Sequence, residues 1–173
     1  MLQGIGKRRG DRPETVLARM ESCHTRIRHF LTVASELAAG DHAEAEVREA
    51  AASVCRYFSV GFVQHVEDEE ALILPKLGDA ELDSKVREEH ARDDADVASL
   101  VALCEALSYD PTAASLKAEL LAVLSRLGPN MEAHLAHEER TMFPLLGGLA
   151  ADDEKALYDA MEASREKRRS QRS

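Results

Sequence analysis

Apolar residues recur along this chain every three or four positions, in four long runs separated by glycine and proline. That spacing puts one side chain per turn on a single face, so each run predicts an amphipathic helix. The first stripe is Val16, Met20, His24, Ile27, Leu31 and Ala34. Its start is expected near Asp11–Pro13, because proline suits a first helical turn and acidic residues favour the positive helix end. Gly40 should stop it, and Asp41 is placed to cap the next helix. The second stripe is Val54, Phe58, Gly61, His65, Glu69 and Leu72, ended by Pro75 and Gly78. The third begins around Asp79–Glu81 and carries Leu82, Val86, His90, one of Asp93 or Asp94, Val97, Leu100 and Cys104. It runs to a turn at Tyr109-Asp110-Pro111. The fourth is Leu120, Leu124, Leu127, Met131, His134, Glu138, Met142 and Leu145, with Pro129 predicting a kink or short break near Gly128. Gly147-Gly148 closes it, and Asp152 or Asp153 starts a short fifth helix to about Ser164.

Four long amphipathic helices with short connections predict an all-α, up-down-up-down four-helix bundle with a short extra C-terminal helix. Residues 1–12 read as a flexible basic N-terminus, 13–146 as the bundle, and 147–173 as the C-terminal helix and a basic, solvated tail. Composition supports this: aromatic residues make up 4% of the chain and tryptophan is absent. A net charge of −10 argues against a nucleic-acid partner. No stretch is apolar enough to cross a bilayer, and the opening MLQGIGKRRG turns polar at once, so a cytoplasmic protein without a membrane partner is expected. Cys23, Cys55 and Cys104 have no metal or disulfide spacing and are expected as buried free thiols. No phosphate-binding loop or nucleophile elbow is present.

The polar residues on the stripes carry the chemistry. Residues 65–75 read HVEDEEALILP and residues 134–144 read HLAHEERTMFP, so H-x3-E-E-x4-P occurs twice. Each copy places a histidine and a glutamate four apart, on one helix face. His24 and His90 precede the two copies on neighbouring helices, which suggests an internal duplication; Arg26 and Arg92 stand at equal offsets after them. A lone histidine on an apolar face is ordinarily a core residue bonded locally. Four near mid-helix, two of them paired with inward glutamates, are a different matter. Buried carboxylates without a cation are costly, and neither glutamate stripe supplies arginine or lysine. A metal removes that cost and uses the neutral imidazoles. The expected ligands are His24, His65, Glu69, His90, His134 and Glu138. Glu70 and Glu139 turn away toward the surface or the ligands' outer partners, and His29, His42 and His137 are weaker candidates. Imidazole with carboxylate suits iron, manganese or zinc. A ferritin-type bundle would show two Glu-x-x-His motifs, and only Glu21-Ser-Cys-His24 matches.

On His24, His65-x-x-x-Glu69-Glu70 with Pro75, His90, and His134-x-x-x-Glu138-Glu139 with Phe143-Pro144, the chain resembles the hemerythrin-like (HHE cation-binding) domain family over residues 13–146. The resemblance implies two iron ions. His24, His65, His90 and His134 would be terminal ligands, with Glu69 and Glu138 bridging the irons beside an oxo or hydroxo group. Oxygen-carrying members have a fifth histidine where this chain reads His90-Ala-Arg-Asp-Asp94. The resemblance therefore implies a protein that binds or reacts with O2, NO or peroxide as a sensor, scavenger or stress-response protein. A di-iron redox enzyme reducing peroxide or NO, with Asp93 or Asp94 as proton relay, is the alternative. Iron storage or delivery for iron-centre repair is another. Gly61, one turn before His65, either opens space for a small ligand or permits close packing. A protein partner and a monomer or homodimer complete the expectations.

Overall fold

A computed structural model describes residues 14–171. Five helices pack antiparallel. Helix α1 is Val16–Ala39, α3 is Ala80–Tyr109, α4 is Ala114–Gly147 and α5 is Ala151–Gln171. Helix α2 covers residues 44–77 without interruption, but two of its segments, Tyr57–Phe62 and Glu69–Ile73, are π-helical. Helices α1 to α4 form a ring in which each packs on the next and α4 closes on α1. Among the described residues no helix is long and apolar enough to cross a membrane.

The helix ends follow local chemistry. Thr15 caps α1 by accepting from the Ala18 N–H at 3.0 Å, while the expected start at Asp11–Pro13 lies outside the described residues. Asp41 does not cap α2. That helix starts three residues later, at Glu44, behind Ala43, and Gly40 meanwhile takes an extended conformation. Asp79 caps α3 as expected, accepting from the N–H groups of Glu81 and Leu82. Gly78 ends α2 at φ 67°, a backbone region that a residue with Cβ rarely adopts.

Pro129 neither breaks nor ends α4. Proline frees the carbonyl four residues back. Here that residue is Ser125, and both it and Pro129 are exposed, so water can satisfy the group. The π turns correct the second stripe. A π turn accommodates one extra residue and rotates the downstream side chains by about 100°. Leu72, expected inward, is only half-buried, while Ile73 and Leu74 are 0% and 2% exposed. At the end of α4, Leu145 is 42% exposed and Leu146 is buried, because the four-residue spacing from His134 through Glu138 and Met142 continues to 146.

Two apolar clusters fill the bundle. One contains Ile27, Leu37, Phe58, Leu100, Leu120 and Leu127; the other contains Val16, Met20, Ile73, Val86, Met142 and Leu146. On each of α1 to α4 the polar stripe residues fall between them, so a polar layer divides the core. The second cluster is completed by Leu157 and Met161 of α5. This helix runs past the expected end near Ser164, and the basic segment is docked as far as Arg168. Arg165 donates to Asp68 Oδ2 at 3.0 and 2.6 Å, and Arg168 pairs with Glu67. Asp68 is fully buried, which the sequence did not suggest, and requires such a partner. Arg19, also buried, reaches Glu162 at 2.5 Å and lies over the Tyr158 ring.

Arg165→Ala would leave Asp68 with Gln64 as its remaining side-chain donor, 2.8 Å away. We expect a loss of about 2 kcal/mol in denaturant unfolding, below the full value for a buried pair because Arg165 is partly exposed. Adding Asp68→Asn should recover most of it. A double variant as unstable as the single one would show that the ion pair is not what Arg165 contributes.

Candidate metal centre

The six residues expected as ligands meet in the polar layer, each 5% exposed or less. His24 comes from α1, His65 and Glu69 from α2, His90 from α3, and His134 and Glu138 from α4. The carboxylates span the two halves. Glu69 Oε1 lies 3.4 Å from His65 Nε2, and its Oε2 lies 3.2 Å from His90 Nε2. Glu138 Oε2 lies 3.1 Å from His24 Nε2, and its Oε1 lies 2.9 Å from His134 Nε2. Two groups with metal-ligand spacing result: His24, His65, Glu69 and Glu138, and His90, His134 and Glu138. The π turn beginning at Glu69 lets α2 turn this carboxylate toward both halves.

A ring of polar partners surrounds the six. His24 Nδ1 lies 3.0 Å from Glu139, which accepts from Arg28 at 2.6 Å. His90 Nδ1 lies 2.8 Å from Glu70, which accepts from Arg87 at 2.7 Å. The second glutamate of each repeated motif thus holds the back of the histidine contributed by a neighbouring helix. Of the two aspartates on α3, Asp93 points inward and Asp94 is exposed. Asp93 sits 3.6 Å from His134 Nδ1 and accepts from Arg92. Arg26 has no such role and lies over the Tyr57 ring, so the equal offsets of Arg26 and Arg92 do not carry equal functions.

The weaker histidine candidates stay outside the cluster. His29 is exposed, the His42 ring donates to the Glu36 carbonyl, and His137 faces Glu89 at 2.9 Å. All three cysteines are free; Cys104 is buried, whereas Cys23 and Cys55 are only partly covered. At Gly61 an added Cβ would come within 2.9 Å of the Tyr57 ring, so glycine here permits close packing of that ring. Gly61 also lines a cavity of about 170 Å³ together with Cys23 and Gln64, the residues next to His24 and His65.

The protein groups alone leave the layer unbalanced. Glu69 is pushed well above the usual carboxylate range, first by burial and then by the Glu138 charge. Burial would also raise Glu138, but hydrogen bonds from His134 and His24 outweigh it and hold Glu138 below its ordinary value. His65 is lowered to about 3, mainly by burial. His134 is raised to about 10: burial opposes its charge, and Asp93 and Glu138 overcome that. Without a cation, therefore, the two central carboxylates cannot both be ionised comfortably.

Hydrogen bonding gives the same answer. Among the described residues, the buried side-chain nitrogens and oxygens that make no hydrogen bond belong to Arg19, which has its ion pair with Glu162, or to this cluster, including Nε2 of His24, His65 and His90, Nδ1 of His65 and His134, and both oxygens of Glu69. Such atoms are rare in native interiors, and their lone pairs converge here. Imidazole nitrogens and carboxylate oxygens at these spacings fit a metal site.

Residues 15–115 match the family model of the hemerythrin HHE cation binding domain. No curated protein and no solved structure matches the chain. The family match ends before His134 and Glu138, and the fold brings these onto His90 and His24. With more than half of its length under that model and buried His/Glu groups fit for a metal, the chain belongs to the hemerythrin HHE cation-binding domain family.

Proposed function

We propose that this is a non-haem di-iron protein that binds or reacts with O2, NO or peroxide as a sensor, scavenger or stress-response protein. The observation that carries the reading is the pair of central carboxylates, each touching one histidine from each half of the bundle. One ion would be held by His24 and His65, the other by His90 and His134, with Glu69 and Glu138 shared. Each ion then receives fewer protein donors than the six of an octahedral iron, which leaves room for a small ligand. Bound iron supplies one-electron redox change and coordination of diatomic molecules.

The chain's own residues restrict what reaches the ions. The ligands are buried, so a large substrate has no access. The cavity beside Cys23, Gly61 and Gln64 adjoins the His24/His65 half and is of a size for small molecules. Outer carboxylates at His24 and His90 fix the ring orientation.

Iron content together with optical spectra of the reduced protein tests this. We expect two irons per chain and a visible band that changes on adding O2 or NO under controlled atmosphere. A protein that takes up no iron, or whose spectrum ignores both gases and peroxide, would overturn the reading.

A further inference from the structure

One cavity is basic in an acidic chain. The chain carries 32 aspartate and glutamate residues against 22 lysines and arginines, yet no carboxylate lines the cavity of about 170 Å³ beside Cys23 and Gln64. Four arginines do: Arg26 from α1, and Arg165, Arg168 and Arg169 from α5. A wider groove of about 610 Å³ shares Arg26, Tyr57, Val60 and Gly61 with it and adds Arg56, again without a carboxylate. An anion therefore has a basic approach from solvent. Docking of α5 explains part of this charge, since Arg165 pairs with Asp68 and Arg168 with Glu67. It does not explain Arg26. That side chain forms no ion pair among the described residues, and its guanidinium lies over the Tyr57 ring, 5.2 Å from the centroid.

Beside Arg26 the wall is apolar. The Tyr57 ring is held by stacking on Phe30 at 4.2 Å, Val60 is 41% exposed, and Gly61 adds no side chain. One uncommitted guanidinium suits one negative charge, and a carboxylate presents that charge through two oxygens matched to the guanidinium fork. A phosphate carries more charge than Arg26 alone can match. A cavity of about 150 Å³ holds a molecule the size of benzene, so the body of the ligand can be one ring or a short branched chain.

We propose that this cavity is a binding site for a small organic monocarboxylate, with Arg26 holding the carboxylate and Tyr57, Val60 and Gly61 receiving the apolar body. The site goes beyond the metal reading and stands without it, because none of these residues belongs to the six expected ligands. Cys23 and Gln64 are the chain neighbours of His24 and His65, so an occupant lies beside that half of the centre.

Benzoate is the probe, with benzyl alcohol as its neutral counterpart and inorganic phosphate as an anion without an apolar body. Calorimetric titration of the full chain, as purified and after chelation, measures affinity. The rate of Cys23 alkylation by iodoacetamide, followed by peptide mass, reports whether the ligand sits in this cavity. Benzoate is expected to bind with a Kd on the order of 1 mM and to slow Cys23 alkylation in both forms of the protein. It should leave the rate at Cys55, which lines neither the cavity nor the groove, unchanged. Arg26→Gln, a substitution at an exposed position, should weaken binding roughly 10-fold. No benzoate binding, equal protection of Cys23 by benzyl alcohol or phosphate, or parent-like affinity in Arg26→Gln would overturn the proposal. So would binding confined to the metal-loaded protein, which would put the carboxylate on the ions and leave the metal reading standing. A chain that takes up no iron yet binds benzoate keeps this site and loses only the metal reading.

Discussion

Glu138→Ala and Glu69→Ala are each expected to hold at most one metal ion per chain, against two for the parent. The reason is geometric. Each carboxylate uses its two oxygens on histidines from opposite halves, at 2.9 and 3.1 Å for Glu138 and at 3.4 and 3.2 Å for Glu69. Removing one deletes a negative donor from both positions at once, where a lost histidine would affect only one. Metal analysis after anaerobic dialysis against iron or Co(II) measures this directly. If both variants retain two ions, the bridging assignment is wrong. The metal-free proteins should separate the two glutamates further. Glu138 accepts from His134 and is held ionised by it, so Glu138→Ala should cost about 3 kcal/mol by leaving a buried charge unmatched. Glu69 carries no hydrogen bond and is pushed toward its neutral form by burial. Glu69→Gln should therefore leave metal-free stability unchanged or slightly raised while still impairing loading. Unfolding curves in chelator would show the contrast.

Helical periodicity and a repeated motif made the bundle and its centre legible before any coordinates. His24, His65, Glu69, His90, His134 and Glu138 fell on apolar stripes, and a stripe residue on an antiparallel bundle can only point at the other helices. The same rule turned Glu70 and Glu139 away from the centre, toward either the surface or the ligands' outer partners, and they sit behind His90 and His24. What failed depended on pairing across helices, which periodicity does not encode. The π turns at Tyr57–Phe62 and Glu69–Ile73 shift phase by one residue, so Leu72 yields its place to Ile73. The basic tail read as solvated because its partners, Glu67 and Asp68, sit about 100 positions earlier in the chain. Asp68 did carry a signal, since Gln64 one turn before it supplies a donor on the same face. Asp93 and Asp94 could not be told apart by spacing alone; the Arg92 fork and the His134 ring select Asp93.

Acid should strip the metal between pH 7 and about 4, and the metal-free protein should weaken over much of the same range for a separate reason. Ligand imidazoles must be deprotonated to bind, and an unperturbed histidine titrates near about 6.5. Metal content against pH measures the first effect; full loading at pH 4 would exclude histidine ligation. In the metal-free protein His65 is lowered from 6.5 to about 3, chiefly by burial. A lowered folded value means its stability contribution is present above 6.5 and lost as pH falls through about 3. His134 has the opposite sign. Burial works against its charge, yet Asp93 and Glu138 raise it from 6.5 to about 10, so its contribution is complete below 6.5 and disappears as pH rises through about 10. The metal-free stability profile should thus peak near neutrality and fall on both sides. His65→Phe should flatten only the acid side. Loading at pH 8 then has a distinct proton signature. His134 arrives protonated and His65 arrives neutral. Metal must displace the proton on His134 and none from His65, so loading should release protons. Calorimetric titration with Co(II) in two buffers of different ionisation enthalpy counts them. A count near zero would mean that the His134–Glu138 ion pair does not exist in the metal-free protein.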